Sequence, residues 1–195
     1  MSVKVALLAI IAQCSLAMSV VDIKCVQSNQ KLFNNANLIG KWYVMINFNP
    51  AITIDYCYCP TLEFTKASTE DLLKYRESLN ESVPYSIEDD PIIVNGSKNV
   101  INGALFGNKE AKFYVLSPNS PMRQADGYTA QVYKEINDNY ILYYDCKLRR
   151  NFMKLLSRKR EVDKQELEKL IANITDVKYL YREVLCRNYN CHFGI

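Results

Sequence analysis

The stretch Gly40-Lys41-Trp42-Tyr43-Val44-Met45-Ile46 constrains the fold most, because it holds the only tryptophan of the 195-residue chain. Gly40 allows the backbone to turn tightly where a strand begins. A single indole two residues later is large enough to plug the end of a small closed barrel. This stretch therefore predicts a first strand that begins at the plugged end of such a barrel.

The N-terminus has the three parts of a secretory signal peptide. A positive head ends at Lys4, an apolar core runs from Val5 to Ala12, and Ser15-Leu16-Ala17 supplies small residues for cleavage. A membrane anchor would need roughly 18 consecutive apolar residues, and Gln13 interrupts the run before that length. We therefore predict a signal peptide at residues 1–17, one domain at residues 18–195, and a secreted, extracellular protein.

Charge and composition narrow the partners. The whole chain has a net charge of +3, and loss of Lys4 with the signal peptide takes the basic count from 24 to 23 against 21 acidic residues. So small an excess predicts no nucleic-acid partner and no stable membrane insertion. With 49% hydrophobic residues, the domain can bury one substantial core.

Six cysteines remain once Cys14 leaves with the signal peptide. An even number in an oxidising compartment favours three disulfides. Zinc is the rival, but His192 is the only histidine and no C-x-x-C pair is present, so we expect no metal. The sequence alone does not select a pairing among Cys25, Cys57, Cys59, Cys146, Cys186 and Cys191. Three sequons are candidate glycosylation sites, at Asn80, Asn95 and Asn173.

The middle of the chain consists of short β segments with turn residues between them. Asn95-Gly96, Gly107-Asn108 and Asn137-Asp138-Asn139 mark reversals of the chain. Short strands at regular spacing favour an antiparallel sandwich or barrel over alternating βα units. The predicted strands are 41–48, 61–66, 72–78, 92–94, 100–106, 111–116, 128–134, 140–148 and 152–158.

One amphipathic helix follows the strands. Its apolar stripe has helical spacing, and Asp163 with Glu166 three residues on predicts a capping box at its start. The strand from Tyr140 to Tyr144 lacks polar alternation, as a strand covered on both faces does. We expect the helix to cover this strand from outside, with the barrel interior on the other side. The stripe consists of Leu167, Leu170, Ile171 and Ile174.

Two motifs resemble those of the lipocalin family. Gly40, Trp42 and Tyr43 match its first motif, and 155–160 (LLSRKR) resembles its third, in which an arginine, here Arg158, packs across the tryptophan. The chain is most similar to the group of insect bilin-binding proteins, insecticyanin and apolipoprotein D, whose Y-x-L-x-Y-x-C pattern matches 140–146. The second motif departs from the family's T-D-Y at 135–137 (EIN). The resemblance implies an all-β domain with one C-terminal α-helix, built as an eight-stranded up-and-down antiparallel β-barrel.

The resemblance also implies a disulfide pairing that ties both ends of the chain to the barrel wall. An exchange of partners between Cys57 and Cys59 stays open. The implied pairs are Cys25 with Cys146, Cys59 with Cys186, and Cys57 with Cys191.

Strand alternation gives candidate residues for a ligand pocket. If Trp42 points inward, the residues two and four positions later do so too, and an outward Cys146 places 141, 143 and Asp145 inside. On the strand at 111–116, the side chains of residues 113 and 115 would point inward if the Lys112 side chain points to solvent. These residues could also simply fill a core. The candidate ligand-binding residues are Val44, Ile46, Phe113, Val115, Ile141 and Tyr143.

The residues argue against catalysis. A serine triad would have to use His192, and no G-x-S-x-G motif is present. The family's catalytic precedent uses a free thiol inside the barrel, which here would need an unpaired Cys57 or Cys59. Its haem carriers ligate iron through a histidine inside the barrel, and the predicted strands contain none. We expect neither an enzyme nor a cofactor.

The resemblance implies a carrier that binds a small hydrophobic molecule, such as a bilin pigment, a retinoid or a fatty acid, inside its barrel. Apolar walls with a few tyrosine hydroxyls suit a molecule of this kind with one polar end. The alternative is a protein-interaction lipocalin, either a protease inhibitor or a mediator-sequestering protein, that acts through its outer loops. A protein receptor or an oligomer stays open as a partner.

Overall fold

The structure is a computed structural model that describes residues 23–29, 33–49, 59–76, 91–97, 102–106, 112–116, 128–147 and 150–186. The predicted signal peptide, the sequon at Asn80, the cysteines Cys57 and Cys191, and His192 lie outside these ranges. None of the helices within the ranges is long and apolar enough to span a membrane.

The described ranges contain four helices and nine strands. The helices are α1 (Ile23–Asn29), α2 (Asn35–Leu38), α3 (Thr69–Arg76) and α4 (Lys164–Ala172). The strands are β1 (Gly40–Phe48), β2 (Thr61–Lys66), β3 (Ile92–Gly96), β4 (Asn102–Phe106), β5 (Lys112–Leu116), β6 (Tyr128–Asn137), β7 (Tyr140–Lys147), β8 (Arg150–Ser157) and β9 (Arg182–Val184).

Strands β1 to β8 form a closed up-and-down barrel. Each strand pairs antiparallel with the next one in the chain, and β8 returns to pair with β1. The ninth strand lies outside this circuit, on the edge of β1 at 46–48, beyond the point where β1 pairs with β2. The predicted fold, an eight-stranded antiparallel barrel with a C-terminal helix, is therefore confirmed.

Two apolar clusters lie on opposite faces of the barrel wall, because successive strand residues point to opposite sides. The interior cluster draws residues from β1 to β4 and β6 to β8, so it fills the inside of the circuit. The outer cluster lies between the wall and α4. The interior cluster contains Phe33, Leu38, Trp42, Val44, Leu62, Phe64, Ile92, Val94, Leu105, Tyr133, Ile141, Tyr143, Leu156 and Leu185.

Helix α4 covers β7 from outside, as predicted. Leu167 and Ile171 are buried in the outer cluster with alternate residues of β7, and Ile174 continues the stripe in the turn that follows the helix. The Asp163 carboxylate caps the helix by accepting from the backbone N–H groups of Gln165 and Glu166. The Glu166 carboxylate accepts a hydrogen bond from the Tyr140 hydroxyl of β7 at 3.0 Å, so it also anchors the helix to the barrel.

A second polar anchor follows α4. The Asp176 carboxylate accepts hydrogen bonds from the Tyr144 hydroxyl at 2.6 Å and from the Lys134 ammonium. Burial opposes the charge of Asp176, but these hydrogen bonds and the charge of Lys134 outweigh it and lower the Asp176 pKa. Burial and the neighbouring carboxylate raise the pKa of Tyr144. In the same way, burial and Glu166 raise the pKa of Tyr140 to about 12.

The expected strand at 72–78 is wrong over residues 72–76, because residues 69–76 form helix α3, and residues 77 and 78 lie outside the described ranges. Ser68 and Asp71 cap this helix reciprocally: the Asp71 N–H donates to the Ser68 hydroxyl, and the Ser68 N–H donates to the Asp71 carboxylate. Tyr75 then packs on the outer face of the barrel beside Phe106. Strand β9 was not predicted, because three residues show no recognisable alternation.

Two disulfides join the described residues. Cys25 of α1 bonds to Cys146 of β7, and Cys59 bonds to Cys186, which follows β9. The Cα atoms of the pairs are 5.5 and 4.5 Å apart, and the pairs close loops with sequence separations of 121 and 127. These are two of the pairs that the family resemblance implies, and the third lies outside the described residues.

We predict that Asp176→Asn lowers the free energy of unfolding at neutral pH by about 1 kcal/mol, because it weakens two hydrogen bonds at a partly exposed site. The lowered pKa of Asp176 stabilises the fold above the unfolded-state pKa, and that contribution is lost as pH falls through the folded-state pKa. The variant should therefore lose less stability than wild type on acidification.

Urea unfolding at pH 7 and near pH 3 measures both effects. The control is Asp138→Asn, which removes an exposed carboxylate from the β6–β7 turn. Equal acid sensitivity of wild type and Asp176→Asn would contradict the anchoring role.

Candidate functional site

One end of the barrel is closed by Trp42 and Arg158. The Arg158 guanidinium carbon lies 3.8 Å from the centre of the Trp42 ring, and the indole is 1% exposed. The Arg158 Nη2 atom donates to the backbone carbonyls of Asn37 and Ile39, both at 2.8 Å. The Nη1 atom donates to the backbone carbonyl of Lys41 at 3.4 Å. One side chain thus joins the end of β8 to the segment before β1, and we call this end the closed end.

The segment before β1 forms the floor of the barrel at the closed end. The Trp42 indole N–H donates to the carbonyl of Leu38, the last residue of α2, at 2.8 Å. Leu38 is fully buried in the interior cluster, together with Phe33. An interior site is therefore separated from solvent on this side by packed apolar groups.

Gly40 allows Arg158 to reach these carbonyls. Its φ is +106°, which L residues with a side chain rarely adopt. A Cβ atom there would lie 2.8 Å from Arg158 Nη1. Gly40, Trp42 and Arg158 therefore come together as the family resemblance implies, and the glycine is needed for both its backbone angle and its lack of a side chain.

Above the floor, the wall is apolar. Val44 pairs with Leu156, and Leu156 pairs with Ile141, so three branched side chains from β1, β8 and β7 form one row inside the barrel. Phe64 and Leu105 add to the interior from β2 and β4. All are nearly fully buried.

The next row toward the open end, where β7 ends and β8 begins, carries polar groups. The rings of Tyr133 and Tyr143, paired across β6 and β7, stack with centroids 5.4 Å apart. The Tyr143 hydroxyl donates to Asp145 at 3.2 Å, and the Tyr133 hydroxyl donates to the Gln131 side-chain oxygen at 2.6 Å. We call these four residues with Lys154 the polar wall.

Lys154 faces the same interior. It pairs with Tyr143 across β7 and β8, and its Nζ atom lies 5.6 Å from the centre of the Tyr143 ring. Burial lowers the pKa of Lys154, and the nearby charge of Asp145 opposes that shift. Among the residues that the structure describes, none is recorded as accepting a hydrogen bond from this ammonium.

Three of the candidate ligand-binding residues lie in the interior cluster. Val44, Ile141 and Tyr143 are 4%, 1% and 4% exposed. Val44 and Ile141 lie between the closed end and the polar wall, and Tyr143 belongs to the polar wall itself. Asp145 shares their face through its bond with Tyr143, as strand alternation predicts.

The expectation that the Ile46 side chain points into the barrel is wrong. A β-bulge between Val44 and Ile46 shifts the register with β8, so Val44 pairs with Leu156 and Ile46 pairs with Leu155. Leu155 and Ile46 both belong to the outer cluster, beneath the C-terminal segment. The extra residue of the bulge reverses the alternation on which the prediction depended.

The positions of Phe113 and Val115 also differ from expectation. Phe113 pairs with Phe106 and Ala130, and Val115 pairs with Ala104. These partners pack in clusters on the outside of the barrel. The register therefore does not place Phe113 and Val115 in the interior rows, and their side chains lie outside what the structure describes.

Sequence reasoning missed the contributions of Lys154, Tyr133 and Gln131. A signal for Lys154 was present, because Phe152, Lys154 and Leu156 alternate along β8 and only every second residue can face inward. A lysine in an otherwise apolar inward row was the feature to notice.

Two of the three sequons lie among the described residues. Asn95 is exposed in β3, and Asn173 is exposed at the C-terminal cap of α4. Both positions leave room for a glycan, whose attachment stays a prediction.

No protein-family model matches the chain, and no curated protein matches it. Similar solved structures include lobster apocrustacyanin A1 (17% identity, 78% of this chain and 79% of that chain, TM-score 0.44) and apocrustacyanin C1 (16%, 89% and 89%, 0.47). Apocrustacyanin C2 is similar at 16% identity, with 82% of each chain covered and a TM-score of 0.45. The closed barrel itself follows from the strand pairing and not from these likenesses.

We predict that Arg158→Lys lowers the free energy of unfolding by about 2 kcal/mol, because a single ammonium cannot replace the planar fork that binds separate carbonyls and stacks on Trp42. Trp42 is the only tryptophan, so its emission reports the closed end directly, and it should shift to longer wavelength. The control is Arg160→Lys at an exposed position two residues later. Unchanged emission and stability in Arg158→Lys would contradict this account of the closed end.

Proposed function

We propose that the chain is a secreted lipocalin that binds and carries a small hydrophobic molecule inside its barrel. The observation that carries the proposal is the graded interior: a floor sealed by Trp42 and Arg158, apolar rows above it, and the polar wall toward the open end. An interior of this kind suits a molecule that enters apolar end first and keeps its polar end near the tyrosines.

The binding free energy would come mainly from apolar contact, at roughly 25 cal/mol per Å² removed from water. The polar wall would then fix the orientation of the ligand. A bilin pigment, a retinoid and a fatty acid are all candidates of this class. The similarity to the bilin-binding group stays part of the proposal, as do secretion and the absence of catalysis.

The alternative role, binding of another protein through the outer loops, would act through different residues. The open-end connections at 50–58, 98–101 and 117–127 lie outside the described residues. A substitution inside the barrel therefore separates the two roles, because a loop function should survive it.

The first experiment is native mass spectrometry with an absorption spectrum on the full chain expressed in eukaryotic cells, followed by organic extraction. A stoichiometric extractable molecule supports the carrier. An empty protein that also refuses bilins, retinoids and fatty acids would count against it and favour the protein-binding role.

We predict that Val44→Trp weakens ligand binding at least about tenfold, because the larger side chain fills space beside Leu156 and Ile141 at a cost of about 1–3 kcal/mol in packing. The matched control is Leu73→Trp on α3, where the side chain is 57% exposed. Ligand titration by native mass spectrometry gives the affinities, and thermal unfolding checks that both variants are folded. A folded Val44→Trp with wild-type affinity would contradict an interior site.

A further inference from the structure

Polar side chains continue along the inward face from β8 onto β1 and β9. Asn47 of β1 pairs with Lys154 of β8 on one side and with Glu183 of β9 on the other. Directly paired residues point to the same face of a sheet, and Lys154 faces inward against the Tyr143 ring. Asn47 and Glu183 therefore face the interior as well. Leu185, two residues after Glu183, is buried in the interior cluster, which agrees with this orientation.

Only one end of the Asn47 side-chain amide is hydrogen-bonded. Its Nδ2 atom donates to the Glu183 carboxylate at 3.4 Å. Its Oδ1 atom is buried and accepts no hydrogen bond within the part of the chain that the structure describes. A buried acceptor of this kind destabilises a fold, because it has lost its bonds to water and gained none in return. The amide oxygen of Asn47 is therefore a polar group that the packing of the barrel does not explain.

Glu183 determines which end of the amide remains without a partner. A carboxylate has only acceptor oxygens, so it binds the amide nitrogen and repels the amide oxygen. The opposite orientation of Asn47 would place two acceptors against each other and leave the nitrogen unsatisfied. The interior at this level therefore presents an acceptor atom, and Glu183 is the residue that positions it.

A ligand in the interior would lie beside this acceptor. The Oδ1 atom is closed to water in the structure, so a ligand reaches it only when a neighbouring side chain moves. Lys154, the neighbour of Asn47 on β8, is half-buried and has a flexible four-carbon chain that can move aside.

We propose that Asn47 selects hydrophobic ligands whose polar end donates a hydrogen bond, such as an alcohol hydroxyl, over ligands whose polar end can only accept one, such as an ether. The hydroxyl would give Asn47 Oδ1 the donor that the described residues do not supply. An ether oxygen has no proton to donate, although it can accept from Lys154 as a hydroxyl oxygen can. This inference rests on the proposed function, because it names the ligand class of the same interior.

The test compares two isomers: 1-decanol, which has a hydroxyl, and 1-methoxynonane, an ether made of the same atoms. Each displaces the uncharged fluorophore N-phenyl-1-naphthylamine from the full-length protein. Both isomers offer an acceptor oxygen, so the ratio of their affinities isolates the donated hydrogen bond. We expect wild type to bind the alcohol at least about threefold more tightly, the effect of one hydrogen bond to an otherwise unsatisfied acceptor.

Two variants act on the two ends of the amide. Asn47→Leu removes the acceptor with little change in size, and the affinity ratio should fall to about one. Glu183→Leu keeps Asn47 but frees its amide to turn, so the ratio should also fall although the acceptor atom is still present. The matched control is Asn139→Leu in the exposed β6–β7 turn, which should keep the wild-type ratio.

The outcomes distinguish the inference from the proposed function. A protein that binds neither the fluorophore nor either isomer contradicts the proposed function, and the inference with it. Equal affinity of wild type for the two isomers, or a wild-type ratio in folded Asn47→Leu, overturns the inference alone. Thermal unfolding checks that the variants are folded. If Asn47→Leu does not fold, an unchanged ratio in Glu183→Leu overturns the inference as well.

Discussion

The contact between Arg158 and Trp42 is the constraint on which the rest of the barrel depends. The guanidinium stacks on the indole and binds backbone carbonyls on both sides of Gly40, so the end of β8, the start of β1 and the floor segment share one set of bonds. An arginine fits this position because its donors are spread in a rigid plane. Glycine at position 40 is required for this contact, because a Cβ atom there would collide with the Arg158 guanidinium group. The closed end therefore fixes where the first and last strands of the barrel meet. It also sets the level of each interior row of side chains along the barrel axis.

The sequence predicted well wherever the signal was local. Alternation along β7 placed Ile141, Tyr143 and Asp145 correctly because β7 is regular over its whole length and both of its faces are covered. Prediction failed for Ile46, where one extra residue in β1 reverses the alternation and leaves no mark in composition. It failed for residues 72–76 because the capping pair Ser68 and Asp71 precedes a segment with weak amphipathic character. The positions of Phe113 and Val115 depended on pairing with neighbouring strands, which the sequence of β5 does not contain.

The polar wall is the place where the interior departs from what stability alone would select. A lysine on an inward face costs hydration free energy that a leucine would not, and its nearest compensation is a ring face and a carboxylate that is itself partly buried. Departures of this kind from local packing rules concentrate where a protein interacts with something else. On the outer face, a lysine, a tyrosine and an aspartate have a structural role instead. Lys134 and Tyr144 both donate hydrogen bonds to Asp176, and these bonds hold the C-terminal segment against the barrel.

Strand β1 changes partners along its length, and this divides the barrel wall. Near the floor it pairs with β2 over Gly40–Tyr43, whereas at 46–48 the same edge pairs with the short strand β9. The Cys59–Cys186 disulfide joins a residue just before β2 to a residue just after β9, and so it links the two strands that share this edge of β1. One edge of β1 is thus paired by two strands that are far apart in the sequence, and a single covalent cross-link keeps their neighbouring ends together.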